Sequence, residues 1–135
     1  MSMFIGVDLV HIPAFAEQLE RPGSTFEAVF STRELRVAAG RSAGIRAEHL
    51  AGRWAAKEAF IKAWSQGLFG RPPVMDEQDV DWAAIEVHAD RWGRVAYEIA
   101  PSLASRVVDS LGEFTTALSI SHDGDYATAT CLLSL

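Results

Sequence analysis

The sequence predicts an α+β chain, and three observations carry that expectation. Residues 50–67 form a proline-free, alanine-rich stretch whose apolar residues return at 50, 54, 61, 64 and 68, the spacing of a long helix. Thr115 to His122 and Tyr126 to Leu133 are rich in Thr, Ala, Ile and Leu and are joined through Asp123-Gly124, a strong hairpin signal. The run Phe4-Ile5-Gly6-Val7-Asp8-Leu9-Val10, apolar with β-branched residues, reads as a buried strand. At 135 residues the chain has room for a real core but not for two, so a single domain spanning 1–135 is expected.

The remaining elements follow in order. Pro13 opens a short helix from Ala14 to Glu20, at a position where proline is tolerated, and Pro22-Gly23 breaks it. Thr25 to Phe30 predicts a further helical turn. Ser31-Thr32-Arg33-Glu34 is a capping box, in which the Ser31 hydroxyl and the Glu34 carboxylate satisfy the free amides of a helix that runs to Ala39. The basic loop Gly40 to Gly44 delivers the chain to the long helix, which ends near Gly67. After a turn at Gly70-Arg71-Pro72-Pro73 and a solvated acidic segment from Met75 to Asp79, Trp82 to Ala89 alternates as a strand. Asp90-Arg91-Trp92-Gly93 turns it into a second strand, Val95 to Ile99, and Pro101 starts a helix, Ser102 to Leu111, stopped by Gly112.

Composition narrows the function classes. The single cysteine, Cys131, can form no internal disulfide and no Cys-based zinc site, so it reads as a buried small residue in a reducing compartment. There is no signal-peptide pattern and no apolar run of about 18 residues, so a membrane role is not expected and a cytoplasmic location is. The net charge of −6 argues against general nucleic-acid binding. Between positions 35 and 57, however, Arg36, Arg41, Arg46, Arg53 and Lys57 stand against Glu48 alone. A local basic patch on an acidic protein suits a compact polyanion better than a long duplex.

The long helix, the first strand and the end of the last hairpin's first strand carry the candidate chemistry. Projected as a helix, Glu58 falls inside the apolar arc of the long helix, with Lys62 one turn on. A carboxylate on a buried face is costly unless a cation or hydrogen-bond donors meet it; the alternative is an exposed i, i+4 pair with Lys62 worth about 0.3 kcal/mol. The chain has ten Arg but only two Lys, Lys57 and Lys62, both in this helix, where an ammonium can serve phosphate as a compact charge. Asp8 is a lone carboxylate in an apolar strand, with Gly6 leaving room on the same face. It is either a structural residue bonded to backbone amides or a ligand for a hard cation such as Mg²⁺. His11 reads as structural; His122, at the end of Ser119-Ile120-Ser121-His122, reads on its own as a polar turn residue.

Together, Asp8 and Glu58 as paired carboxylates, Lys57, Lys62 and Arg53 as phosphate partners and His122 as a further donor suit transfer or hydrolysis at a phosphate ester or pyrophosphate. Mg²⁺ would offset the charge that builds on the leaving group. No Walker A loop, no GxGxxG and no Ser-His-Asp order stands out. Three readings stay open on these residues: a phosphoryl-group transferase, a Mg²⁺-dependent pyrophosphohydrolase, and a non-catalytic polyanion-binding module in which Glu58 merely pairs with Lys62.

The set Gly6-Val7-Asp8, Phe30-Ser31-Thr32-Arg33-Glu34, Trp54-Ala55-Ala56-Lys57-Glu58-Ala59-Phe60-Ile61-Lys62-Ala63 and Ser119-Ile120-Ser121-His122, in this order, resembles the holo-acyl-carrier-protein synthases. These are the small bacterial 4′-phosphopantetheinyl transferases. The resemblance covers essentially the whole chain, and W-x-x-K-E-x-x-x-K is its specific part. It implies a small antiparallel sheet packed against a long central helix, assembled as a homotrimer with active sites between subunits. It implies transfer of the phosphopantetheine arm of coenzyme A to a serine of an apo acyl carrier protein, with release of adenosine 3′,5′-bisphosphate, in support of fatty acid biosynthesis. By the same resemblance Asp8 and Glu58 bind Mg²⁺, Lys62 contacts the pyrophosphate, and Arg53, Arg46 and Lys57 face the nucleotide's phosphates. His122 reaches coenzyme A from a neighbouring subunit. Two positions depart from the family pattern. Many relatives carry an Arg where this chain has Ala14, on a first helix that here holds Glu17 and Glu20 beside Arg21. Docking of the carrier is therefore expected to depend less on charge, with a carrier domain of a large fatty-acid synthase as the expected partner. Gly93-Arg94-Val95 also lacks the proline many relatives have after that turn.

Overall fold

The structure is a computed structural model describing residues 1–135. Its elements are β1 (Met3–His11), α1 (Ile12–Glu20), α2 (Thr32–Ala39), α3 (Ala43–Gly67), β2 (Ile85–Ala89), β3 (Val95–Ile99), α4 (Pro101–Leu111), β4 (Thr115–Asp123) and β5 (Tyr126–Ser134). β1, β5 and β4 form an antiparallel sheet in that spatial order, and β2 and β3 form a separate antiparallel hairpin. No helix is long and apolar enough to cross a membrane.

The sheet and α3 meet through small residues. Ala47, Ala51, Ala55, Ala59 and Ala63 recur every four residues on α3 and are all buried. That spacing builds a smooth stripe along one helix face. Ala127, Ala129 and Cys131 of β5 are buried on the facing side of the sheet. β1 comes closest of all: a Cβ placed on Gly6 would lie 2.6 Å from the Ala63 nitrogen and nearer still to the Ala59 carbonyl oxygen. Gly6 thus makes room for the helix backbone, where the sequence suggested room for Asp8. The effect on Asp8 is indirect, since it lies two residues along on the same face and is thereby held against α3.

The caps behave as their residue types dictate. Ser31 Oγ accepts from the Glu34 amide at 3.1 Å, and Glu34 Oε1 accepts from the Ser31 amide at 2.8 Å, completing the capping box. His11 has the structural role the sequence suggests: its Nδ1 accepts from the Ala14 amide at 3.3 Å and starts α1 two residues before the expected point.

Two expectations need correction. β1 is buried on one face only; Ile5, Val7 and Leu9 on its other face are 47%, 49% and 65% exposed. The strand expected from Trp82 begins at Ile85, after a 3₁₀ turn over Trp82–Ala84. Lys57 explains that turn. Its ammonium donates to the Trp82 carbonyl at 3.0 Å and the Ile85 carbonyl at 2.7 Å. Three residues of extended chain span about 10 Å, too far for both carbonyls to meet one ammonium.

Candidate active site

The acidic half of the site lies where β1 crosses the C-terminal half of α3. Asp8 faces the helix, its side chain only 12% exposed, and its Oδ1 accepts from Lys62 Nζ at 2.9 Å. The same ammonium donates to the Val7 carbonyl at 3.1 Å. Glu58, one turn before Lys62, is half-buried. Its carboxyl is held above the ordinary carboxylate range, by burial first and by the charge of Asp8 second, while Lys62 pulls the other way. A carboxylate whose charge raises the proton affinity of Glu58 lies close to it in space. The structure therefore brings Asp8, Glu58 and Lys62 together, and Lys62 pairs with Asp8 across the chain where the sequence left open a local pair with Glu58.

Beside them opens a cavity of about 500 Å³. Glu58 and Lys62 line one side, and Trp64, Leu68, Met75 and Trp82 are among the apolar residues that line the rest. The segment after α3 supplies the outer wall, a contribution the sequence did not reveal because Met75 and Trp82 carry no periodic signal.

The basic half lies further toward the N-terminus of α3. His49 is buried, with Arg53, Arg41 and His122 close enough to act on it electrostatically. Its imidazole is pushed down to about 4, by burial first and then by Arg53, Arg41 and His122 in that order. His122, at the far end of β4, places Nε2 3.2 Å from the Glu48 carbonyl. A Cβ on Gly52 would come 2.9 Å from that nitrogen, so Gly52 is what lets the imidazole lie against the helix. Arg53 is half-buried between the fields of Glu34 and Arg41. His49 was overlooked in the sequence, although its position four residues before Arg53 puts the two on one helix face.

The other predicted phosphate partners are otherwise engaged. Lys57 is fully buried, and besides the two carbonyls it pairs with Glu34 Oε1 at 2.8 Å. Glu34 Oε2 also accepts from the Val87 amide at 3.0 Å, so this pair ties α2, α3 and β2 together. With its three hydrogens committed and no surface exposed, Lys57 has no face to offer a ligand; the sequence expectation of a phosphate contact is corrected here. Arg46 pairs with Glu27 at 2.7 Å on the surface, so it meets a ligand only by leaving that partner. On the outer face of the β2–β3 hairpin, His88 bridges Glu86 and Glu98, which oppose each other across the strands. Both ring nitrogens are taken by the two carboxylates, so the three side chains are already engaged with one another.

Asp8 and His122 are on opposite edge strands of the sheet, with β5 between them. The chain thus carries two clusters, one around Asp8 on β1 and one around His122 on β4, at opposite edges of the sheet.

A sequence profile of the 4′-phosphopantetheinyl transferase superfamily matches residues 4–131. The chain belongs to that superfamily. It is 68% identical over 130 residues to a holo-[acyl-carrier-protein] synthase of Corynebacterium efficiens, covering 96% of this chain and 92% of that one. It is 44% identical over 129 residues to the protein of the same description in Mycobacterium ulcerans, covering 96% and 94%. Among solved structures, it matches a Chronobacterium ammoniagenes ACPS–CoA complex with a TM-score of 0.95 and 64% identity, over 98% of this chain and 97% of that one. The α+β fold is that of the phosphopantetheinyl transferases, and within them the chain falls among the holo-acyl-carrier-protein synthases, an enzyme class.

Proposed function

We propose that the chain moves the 4′-phosphopantetheine group of coenzyme A onto a serine of an apo acyl carrier protein or carrier domain, with Asp8, Glu58 and Lys62 at the reacting phosphate. In that reaction the serine oxygen bonds to the phosphorus that carries pantetheine. The bridging oxygen leaves with adenosine 3′,5′-bisphosphate, and the serine gives up its proton. The observation that supports these roles is the convergence of two carboxylates and one half-exposed ammonium at the mouth of an apolar cavity. The cavity is of a size and character to receive the pantetheine chain.

The donor set fits Mg²⁺. Asp8, Glu58 and the Val7 carbonyl are all oxygen donors, as a hard cation prefers, and the Lys62 ammonium on Asp8 marks the place as one that accepts positive charge. The metal would supply charge stabilisation at the diphosphate. Lys62 would then hold a phosphate oxygen and stabilise the leaving group, and the Glu58 carboxylate, lining the same cavity, is the base we place nearest the serine. Arg53 and His122, joined by His49 and Arg41, take the nucleotide's phosphates, and Arg46 contributes on release from Glu27.

The shared site requires a second copy. A head-to-tail contact that sets the basic edge of one chain beside the acidic edge of the next is heterologous, and it closes into a ring when its rotation is a whole fraction of a turn. The half-exposed apolar face of Ile5, Val7 and Leu9 supports such an assembly, and the homotrimer is the ring we favour. A buried free cysteine, Cys131, supports work in the cytoplasm, where a role in fatty acid biosynthesis would lie. Residues 1–135 are taken to act as one domain.

The test is direct. Coenzyme A, Mg²⁺ and apo carrier protein are incubated with the enzyme, and the carrier is weighed by mass spectrometry. A phosphopantetheine adduct that disappears in Glu58→Gln, with unchanged circular dichroism, is the expected result. Cleavage of coenzyme A without an adduct would mean a hydrolase, and full turnover by Glu58→Gln would remove Glu58 from the site.

A further inference from the structure

We infer that Lys62 is a resident counter-ion that keeps free divalent metal out of the Asp8–Glu58 site, so that the site accepts metal and diphosphate together. This rests on the reading of Asp8 and Glu58 given above. The Lys62 ammonium sits on two of the oxygens nearest the site, Asp8 Oδ1 at 2.9 Å and the Val7 carbonyl at 3.1 Å. Its own side chain is 53% exposed, whereas that of Asp8 is 12% exposed, so the lysine covers the carboxylate from the solvent side.

The consequence is a matter of charge. A bare divalent ion arriving at Asp8 must displace the ammonium, which then loses its bonded carboxylate, keeps only Glu58 and the exposed Glu77 along the cavity, and is repelled by the ion that replaced it. Glu58 cannot rehouse it without giving up its own share of the metal. A diphosphate changes this balance. Its oxygens offer the ammonium a new partner at the moment the metal takes Asp8. The exposed four-carbon stem of Lys62 lets the ammonium swing across without disturbing packing. Metal and diphosphate therefore bind with positive coupling, and by linkage each raises the affinity of the other equally. The same device prevents Asp8 and Glu58 from capturing metal in a form that excludes the substrate.

The probe is Mn²⁺, with the free ion followed by electron paramagnetic resonance in the intact protein, with and without coenzyme A. Lys62→Met is expected to bind Mn²⁺ alone about tenfold or more tighter than wild type, and Lys62→Arg, which keeps the charge, is expected not to. Coenzyme A is expected to tighten Mn²⁺ binding about tenfold or more in wild type and much less in Lys62→Met. Adding Asp8→Asn to Lys62→Met should abolish the gain. Equal Mn²⁺ affinity in wild type and Lys62→Met, with Asp8→Asn weakening both, would overturn the counter-ion role and leave the metal site standing. Mn²⁺ binding indifferent to both Asp8→Asn and Glu58→Gln would overturn the site and this inference with it.

Discussion

Replacing Gly6 by alanine tests how the fold holds the site. The new Cβ would sit 2.6 Å from the Ala63 nitrogen and 2.9 Å from the Ala59 carbonyl carbon, with the Ala59 oxygen closer still. Carbon contacts settle near 3.5–4.0 Å, so β1 must retreat from α3 by about 1 Å or more. All the obstructing atoms are backbone, and no side chain can turn aside. Overpacking of this kind costs about 1–3 kcal/mol, and a rigid helix on one side puts Gly6→Ala toward the upper end. Asp8 is two residues away on the displaced strand, and a misplacement of about 1 Å at a reacting centre can cost about 10²-fold in rate. Urea unfolding followed by circular dichroism measures the first effect, and single-turnover transfer to the carrier measures the second. A Gly6→Ala variant within about 0.5 kcal/mol of wild type and with an unchanged rate would refute the claim that this contact positions the carboxylate.

The remaining predictions concern other parts of the molecule. Lys57→Met leaves Glu34 buried without its partner and is expected to lose about 3–5 kcal/mol in urea unfolding. The coenzyme A KM of its folded fraction should be unchanged, and a raised KM at full stability would return Lys57 to the binding site. His49 is held neutral by the fold, so the unfolded chain binds the extra proton: stability is complete above pH 6.5 and falls as pH drops toward about 4. The loss is about 3 kcal/mol at most, and His49→Gln should flatten the melting temperature across that range. Leu9→Lys on the exposed sheet face is expected to give a folded monomer by analytical ultracentrifugation with transfer lowered about tenfold or more; an active monomer would refute the shared site. With Ala14 and Glu17 on α1, the carrier KM should rise less than about threefold between about 0.05 and 0.3 M salt, and a steep rise would point to charge-driven docking.

Much of this was legible in the residues. The capping box and the stop at Gly112 appear where local chemistry puts them, whereas the hairpin turn falls one residue later than Asp123-Gly124, on Gly124 and Asp125, and α3 begins at Ala43, inside the expected loop. Asp8 and Glu58 stood out because a charged residue in an apolar strand and another inside an apolar helix face each need a partner, and for Asp8 the fold supplies Lys62. What failed depends on contacts distant in sequence. A lysine next to a candidate glutamate gives no sign of which side of a crowded helix it faces. Only the fold reveals that Lys57 points to Glu34 and two carbonyls, while Lys62, five positions on, points to Asp8. The exposure of Ile5, Val7 and Leu9 was likewise invisible, because an apolar run does not distinguish a strand buried on both faces from one buried on a single face.

The central claim is that Asp8 and Glu58 hold one divalent ion against the diphosphate of coenzyme A. Electron–nuclear double resonance on the enzyme with Mn²⁺ and coenzyme A measures this directly. The account predicts phosphorus-31 coupling to the bound ion that is lost in both Asp8→Asn and Glu58→Gln. Bound Mn²⁺ with no phosphorus coupling, or coupling that survives both substitutions, would contradict it.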